Sequence, residues 1–351
     1  MMLPSGAALV LIFLTMPFFA LALTYGTLIR IRQREPGTQR RRNIILGLCA
    51  SFLSLWFLVF VLELFFKAFV IQSDAFGHTL AAKRWFERYW GPTNSFGFRD
   101  KEFDARTLAS SRALFVVSDS FDAGLGVNNQ EDRFSNHLRR WMGSDWTVLN
   151  FGRNGWDTRK EIEALRAFPI QPDVIIWSYY LNDIAGAAAE HGHNKYIDLS
   201  ISPSWVRVPV ENSYFLNFVY WRWFRVLSRL EGGHFWEAIQ SDFDNEAIWN
   251  THRKELQDVV DYMRHHHIAL LVFIFPSLTD ILGSQRVTAK VADTFRSAGS
   301  PVIDLSDYLA GRDYRSLIVN NVDAHPNVDL HLEVAQIIHG HLKKLGYDQK
   351  L

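Results

Sequence analysis

Four short blocks carry the residue types that acyl transfer by a serine requires. Ser118-Asp119-Ser120-Phe121 follows the apolar run 113–117, and Asn150-Phe151-Gly152-Arg153-Asn154-Gly155-Trp156-Asp157 follows the run 146–151. Tyr180-Leu181-Asn182-Asp183 follows the run 174–179, and Asp323-Ala324-His325-Pro326-Asn327 precedes the last helical pattern. A serine hydroxyl is a weak nucleophile unless a base takes its proton, a third group orients that base, and donors meet the oxyanion of the tetrahedral intermediate. The blocks supply each part. Ser120 is the candidate nucleophile, His325 the base and Asp323 its partner. The backbone N–H groups of Ser120 and Gly155 and the side-chain amide of Asn182 are the candidate oxyanion donors. Each block also has a plainer reading: Gly155 as a turn glycine, Asn182-Asp183 as a helix cap, His325-Pro326 as a helix entrance.

The elements that must position these residues alternate along the chain. Apolar runs at 113–117, 146–151, 174–179, 268–275 and 302–305 predict buried strands. Helical spacing predicts helices over 131–142, 159–168, 254–266, 286–297 and 328–345. Continuous apolar strands between amphipathic helices predict an α/β fold with a mainly parallel sheet covered on both faces, its site gathered at the carboxyl ends of the strands. Residues 184–250 are too long for a plain connection and carry Trp205, Tyr214, Phe215, Phe218, Tyr220, Trp221, Trp223, Phe224, Phe235 and Trp236. They predict an aromatic-rich insertion with some helix, a candidate cover over the site.

The order Ser, Gly, Asn, His with these neighbours resembles the SGNH/GDSL hydrolases over residues 94–345. The segment Asn94-Ser95-Phe96-Gly97-Phe98-Arg99-Asp100 resembles the lead-in of membrane-anchored bacterial members. The resemblance implies a flavodoxin-like three-layer α/β/α sandwich. It also implies a serine that attacks an ester, often an O-acetyl group on a carbohydrate, with no metal or other cofactor. Three positions depart from the family pattern. Ser118 stands where the first block usually has glycine, Tyr180 where the third has glycine, and Val322 three residues before His325 where an aspartate is frequent. Asp323, two residues before, is a variant the family also shows. His331 resembles a second family histidine, with a structural role expected.

Charge distribution adds a compartment. Residues 1–29 hold no charged side chain, and residues 7–29 as a helix would span about 34 Å. Residues 44–62 form a second uncharged apolar run, with Glu63 and Lys67 beyond it. Between the runs lie Arg30, Arg32, Arg34, Arg40, Arg41 and Arg42, which the positive-inside rule places in the cytoplasm. The pattern predicts two membrane spans rather than a cleaved leader. The sole cysteine, Cys49, lies in the second run, so neither an intramolecular disulfide nor thiol chemistry enters. A net charge of zero gives no electrostatic case for nucleic acid. His191-Gly192-His193 has metal-like spacing without further ligands, and His265-His266-His267 suits a helix carboxyl end.

The sequence therefore predicts a two-helix anchor over residues 1–70, a juxtamembrane connector over 71–111 and a hydrolase domain over 112–351. The expected function is a serine esterase of the bacterial cytoplasmic membrane, its catalytic domain periplasmic or extracellular, removing O-acyl and most simply O-acetyl groups from a glycan. The expected partners are that glycan, the lipid bilayer and proteins of polysaccharide assembly. The alternatives are an acyltransferase with the same residues and a catalytically silent glycan-binding scaffold.

Overall fold

The computed structural model describes residues 16–17, 19–27, 29–30, 39–75, 77–103, 111–193, 204–230 and 235–347. The chain divides into two compact units. One comprises Met1–Ile71, Thr79–Ala81 and Ile201–Leu227; the other comprises Gln72–His78, Ala82–Ser200 and Ser228–Leu351.

The larger unit is built on five parallel strands: β1 (Arg112–Ser118), β2 (Trp146–Gly152), β3 (Val174–Tyr179), β4 (Ala269–Ile274) and β5 (Val302–Asp304). Their order is β2-β1-β3-β4-β5, that of flavodoxin-like doubly wound sheets. Successive side chains point to opposite faces, so each strand feeds two cores. Phe115, Val117, Ile175, Trp177, Val272 and Ile274 pack with Ile162, Leu165, Leu256, Val259, Val287 and Phe295. These belong to the helices Thr158–Ala167, Glu246–His265 and Ile281–Ser297. Leu114, Val116, Ile176, Leu271 and Phe273 pack with Phe134, Leu138, Val334, Ile338 and Leu342, from the helices Phe134–Met142 and Val328–Lys344. Three layers result, and burial on both faces is why the strands read as unbroken apolar runs.

The strand predictions hold to within two residues. Two helices begin earlier than their apolar stripes suggest. Asn245 caps Glu246–His265 by accepting from Ala247 N at 3.0 Å, and Asp280 caps Ile281–Ser297 by accepting from Gly283 N at 3.0 Å. Among the elements not foreseen, one carries part of the site. A two-stranded antiparallel ribbon, β6 (Ile318–Asn320) and β7 (Asp323–Pro326), carries the last block, and Asn327 then caps Val328–Lys344. Strands of three and four residues are too short to show a period.

The smaller unit is helical. Gln39–Phe69 has 31 residues, about 46 Å of helix, and is long and apolar enough to cross a membrane. The first predicted span, 7–29, lies largely outside the described residues; within it 19–27 are helical. Arg32 and Arg34 also lie outside the described residues. The aromatic part of the insertion folds as Ser204–Asn212 and Tyr214–Leu230. Its flanks, Ala185–Glu190 and Phe235–Asp244, belong to the larger unit.

Candidate active site

Register sets the stage for the four blocks. Ser118 at the end of β1 pairs with Gly152 on one side and Ser178 on the other. Three adjacent strands thus end in one row, and the Ser120, Gly155 and Asn182 segments all leave from it, with the serine on the middle strand. Beyond Ser118 the chain turns at Asp119 (φ −86°, ψ −134°) into the short helix Ser120–Ala123. Asp119 caps this helix by accepting from Phe121 N at 2.9 Å.

The turn is clamped from two sides. Asn150 donates from Nδ2 to the carbonyl of Asp122 at 2.6 Å. A Cβ at Gly152 would lie 2.7 Å from Ala123 N, so only glycine lets the helix sit this close to β2. On the other side Arg99, fully buried, donates to the carbonyls of Tyr89, Trp90, Ala123, Gly124 and Val127 at 2.6–3.2 Å. Burial, with the nearby Arg133 charge, lowers its pKa to about 9, which leaves it charged at neutral pH. Asp100, the next residue, pairs with Arg139 at 2.6 Å and accepts from Asn150 N at 3.0 Å. The lead-in segment is thus a buttress for the serine turn.

Ser120, Asp323 and His325 come together. His325 Nε2 lies 2.8 Å from Ser120 Oγ, and its Nδ1 lies 2.5 Å from Asp323 Oδ1. A carboxylate can only accept, so in the neutral ring Nδ1 carries the proton and Nε2 is the acceptor for the serine hydroxyl. Ser120 Oγ also lies 3.2 Å from Asp119 Oδ2, beyond the usual range for O–H···O bonds, so the histidine is the better acceptor. Asp323 is buried, yet both its oxygens are engaged. Oδ1 also accepts from His325 N at 3.1 Å, and Oδ2 accepts from the hydroxyl of Ser73. Burial alone would raise the Asp323 pKa; the His325 charge and these hydrogen bonds reverse that and lower it. For His325 burial opposes the charged ring, but Asp323, with a smaller part from Asp119, raises its pKa above the ordinary histidine value. Its side chain keeps 12 % of its surface exposed, enough to reach a substrate.

The candidate oxyanion donors leave from the same row of strand ends. Gly155 adopts φ +72°, and among the described residues neither its N–H nor that of Ser120 donates to a backbone carbonyl. Asn182 lies in the turn Leu181–Ile184 just after β3. Its side chain lies near the buried Asp119 carboxylate and helps to offset the effect of burial on that group, while its own Oδ1 finds no partner. Burial raises the Asp119 pKa despite the opposing bonds from Phe121 N, Asn182 and Ser120 and the His325 charge. Tyr180 stacks on Phe121 at 4.0 Å, and Phe121 lies 5.2 Å from the His325 ring.

Several contributors were not assigned from sequence. Asp119, Gly152 and Arg99 sit inside the quoted blocks, where burial beside the serine turn gives them their parts. Ser73 belongs to the connector and had no signal at all. The remaining histidines have separate partners. His331 is buried, accepts from Phe134 N at 3.3 Å and stacks on that ring; burial and Arg133 lower its pKa to about 3. His191 bonds Thr251 and His193 bonds Asp242, so the pair does not converge. His266 follows the end of Glu246–His265 and bonds Gln171.

No family model matches the chain, and no curated protein sequence matches it significantly. Solved structures similar to it include TesA, at 14% identity and a TM-score of 0.42 over 67% of this chain and 99% of that one. They also include a two-domain esterase (CEX) active on acetylated mannans, at 16% identity and a TM-score of 0.41 over 68% of this chain and 51% of that one. A third is AlinE4, an SGNH-hydrolase family esterase, at 16% identity and a TM-score of 0.35 over 67% of this chain and 96% of that one. Likenesses this distant leave the site's own geometry as the ground for a functional conclusion.

Proposed function

We propose that this protein is an SGNH-type serine esterase, anchored in a bacterial cytoplasmic membrane, that removes O-acetyl groups from an extracytoplasmic glycan. The observation that carries the chemistry is the Ser120–His325–Asp323 relay, with links of 2.8 and 2.5 Å, at the carboxyl edge of the sheet. In the reading, Ser120 Oγ attacks the acyl carbonyl as its proton passes to His325 Nε2. The N–H groups of Ser120 and Gly155 and the side-chain amide of Asn182 meet the oxyanion. Collapse breaks the ester bond, and His325 returns the proton to the departing sugar oxygen. Water, deprotonated by His325, then releases acetate from Ser120. Asp323 stabilises the imidazolium of both steps. The anchor is supported by the helix Gln39–Phe69 and the arginines before it.

The test is the purified full chain with a small acetyl ester. Ser120→Ala should lower kcat by about 10³-fold or more while the circular dichroism spectrum is kept. A serine-reactive phosphonate should label the wild type at Ser120 and leave the variant unlabelled. Near-normal turnover by folded Ser120→Ala overturns the nucleophile. Transfer of acetyl to an added oligosaccharide in preference to water would assign the same site to an acyltransferase.

A further inference from the structure

The insertion helices Ser204–Asn212 and Tyr214–Leu230 carry large apolar side chains on an open face. Trp205 and Val208, three residues apart, are 82% and 52% exposed; Val219 and Trp223, four apart, are 46% and 63% exposed. Those spacings place each pair on one side of its helix. Arg207 and Arg222 are also exposed, Arg207 3.9 Å from Glu211 and Arg222 4.3 Å over the Phe218 ring.

The adjoining side is fastened to Gln39–Phe69 inside the same compact unit. Glu63 accepts from Ser213 Oγ at 2.7 Å, Tyr214 N at 2.8 Å and Phe215 N at 2.9 Å, so its carboxylate caps the second insertion helix. A carboxylate at a helix amino end meets both unpaired N–H groups and the positive end of the dipole. One turn on, Phe66 stacks at 4.4 Å from Phe218 and 5.8 Å from Phe215. Asn217 donates to Val210 O at 2.9 Å and accepts from Leu80 N at 3.0 Å, joining the two insertion helices and the chain beyond. Glu63 is the first charge after the apolar run 44–62. In a spanning helix it marks the exit from hydrocarbon, and the clasp therefore holds the aromatic pair at that depth. Tryptophan beside arginine is the composition favoured at the lipid headgroup level.

We propose that residues 204–224 form an interfacial element lying on the bilayer, with Trp205, Val208, Val219 and Trp223 among the lipid headgroups and Glu63 as its clasp. The inference rests on the reading of Gln39–Phe69 as a membrane span. It gives the insertion a lipid-facing role in place of a cover over the site.

Nitroxide accessibility tests both separately. The full chain is reconstituted in vesicles of phosphatidylcholine and phosphatidylglycerol, with labels at native Cys49 or, in a Cys49→Ser background, at Trp205→Cys, Trp223→Cys or the exposed Glu163→Cys. The labels at 205 and 223 should show an oxygen-to-nickel-chelate accessibility ratio several-fold above that at 163, and Cys49 a higher ratio still. Ratios at 205 and 223 equal to that at 163, with Cys49 in hydrocarbon, overturn the interfacial element and leave the anchor standing. An aqueous Cys49 overturns the anchor itself. Shielding of 205 and 223 from both reagents would assign the face to a protein partner and overturn the lipid assignment. Glu63→Ala should move the labels at 205 and 223 toward the aqueous value while Cys49 stays in hydrocarbon; no movement overturns the clasp.

Discussion

Asp323 shows how a buried acid is kept ionised beside a histidine. Burial disfavours its charge, and three donors on two oxygens restore it. The Ser73 hydroxyl holds the oxygen that faces away from His325, so it withdraws basicity from the carboxylate that supports the ring. Removing it leaves a more basic Asp323 and should raise the His325 pKa further. His325 must be neutral to accept the Ser120 proton, so activity rises with pH through its pKa, and that acid limb should already lie above the ordinary value near 6.5. Ser73→Ala should move the limb of kcat/KM to higher pH by roughly half a unit, a fraction of the bond's worth at 1.36 kcal/mol per unit. It should also lower kcat on the plateau, and Ser73→Thr should restore both. A lower kcat with an unmoved limb would make Ser73 a packing residue only. Ser120, His325 and Asp323 were legible because each stands in a block at a strand end or helix start. Ser73 was illegible because it acts on a residue 250 positions away, and a lone serine in a connector has no local signature.

At the scale of elements, legibility followed length and periodicity. β1, β2 and β3 are six or seven residues long and buried on both faces, so apolar runs marked them, and their adjacency put the serine between its two prospective donors. The ribbon β6–β7 has no such run, yet it sets Asp323 and His325 on one strand with their side chains linked. Gln39–Phe69 was legible from hydropathy and charge, whereas its clasp to Tyr214–Leu230 depends on a contact across 150 residues. That helix starts with Arg40, Arg41 and Arg42 and ends with Glu63 and Lys67 about its last two turns. On the proposed reading of this helix as a membrane span, the positive-inside rule puts the arginine end in the cytoplasm. A C-terminal fusion to a reporter active only outside the cytoplasm should therefore give signal, and a cytoplasm-dependent reporter at the same place should not. The reverse pattern would put the site with cytosolic substrates and remove the extracytoplasmic glycan from consideration.

For the whole molecule, the buried titratable groups set how stability responds to pH. Asp122 is raised to about 7 by burial, partly offset by Arg133; Glu161 is raised by burial and by the Asp119 and Asp157 charges, and Asp183 by burial and by Glu161, Asp119 and Asp157. A carboxyl whose folded pKa is raised holds a proton that the unfolded chain has lost, so its contribution falls as pH rises through that window. His331, lowered to about 3, works the other way: below about 6.5 the unfolded chain takes up protons the folded one refuses. Between about pH 4 and 6.5 Asp122 and His331 oppose each other at similar size, on the order of 3 kcal/mol each across that window at 1.36 kcal/mol per unit. Above that window the carboxyls act alone, and the fold should lose stability toward alkaline pH. Glu161 is the place to test this, because both of its carboxyl oxygens are buried without a hydrogen-bond partner. Glu161→Gln keeps the shape and removes the charge that rising pH would force into the core. It should change Tm least at acid pH, where burial keeps Glu161 protonated, and raise it by several degrees at pH 8, on the order of 2 kcal/mol for a buried charge replaced by a neutral group. An equal shift at both pH values would mean that the substitution acts through packing, and the alkaline loss of stability would then have to arise elsewhere.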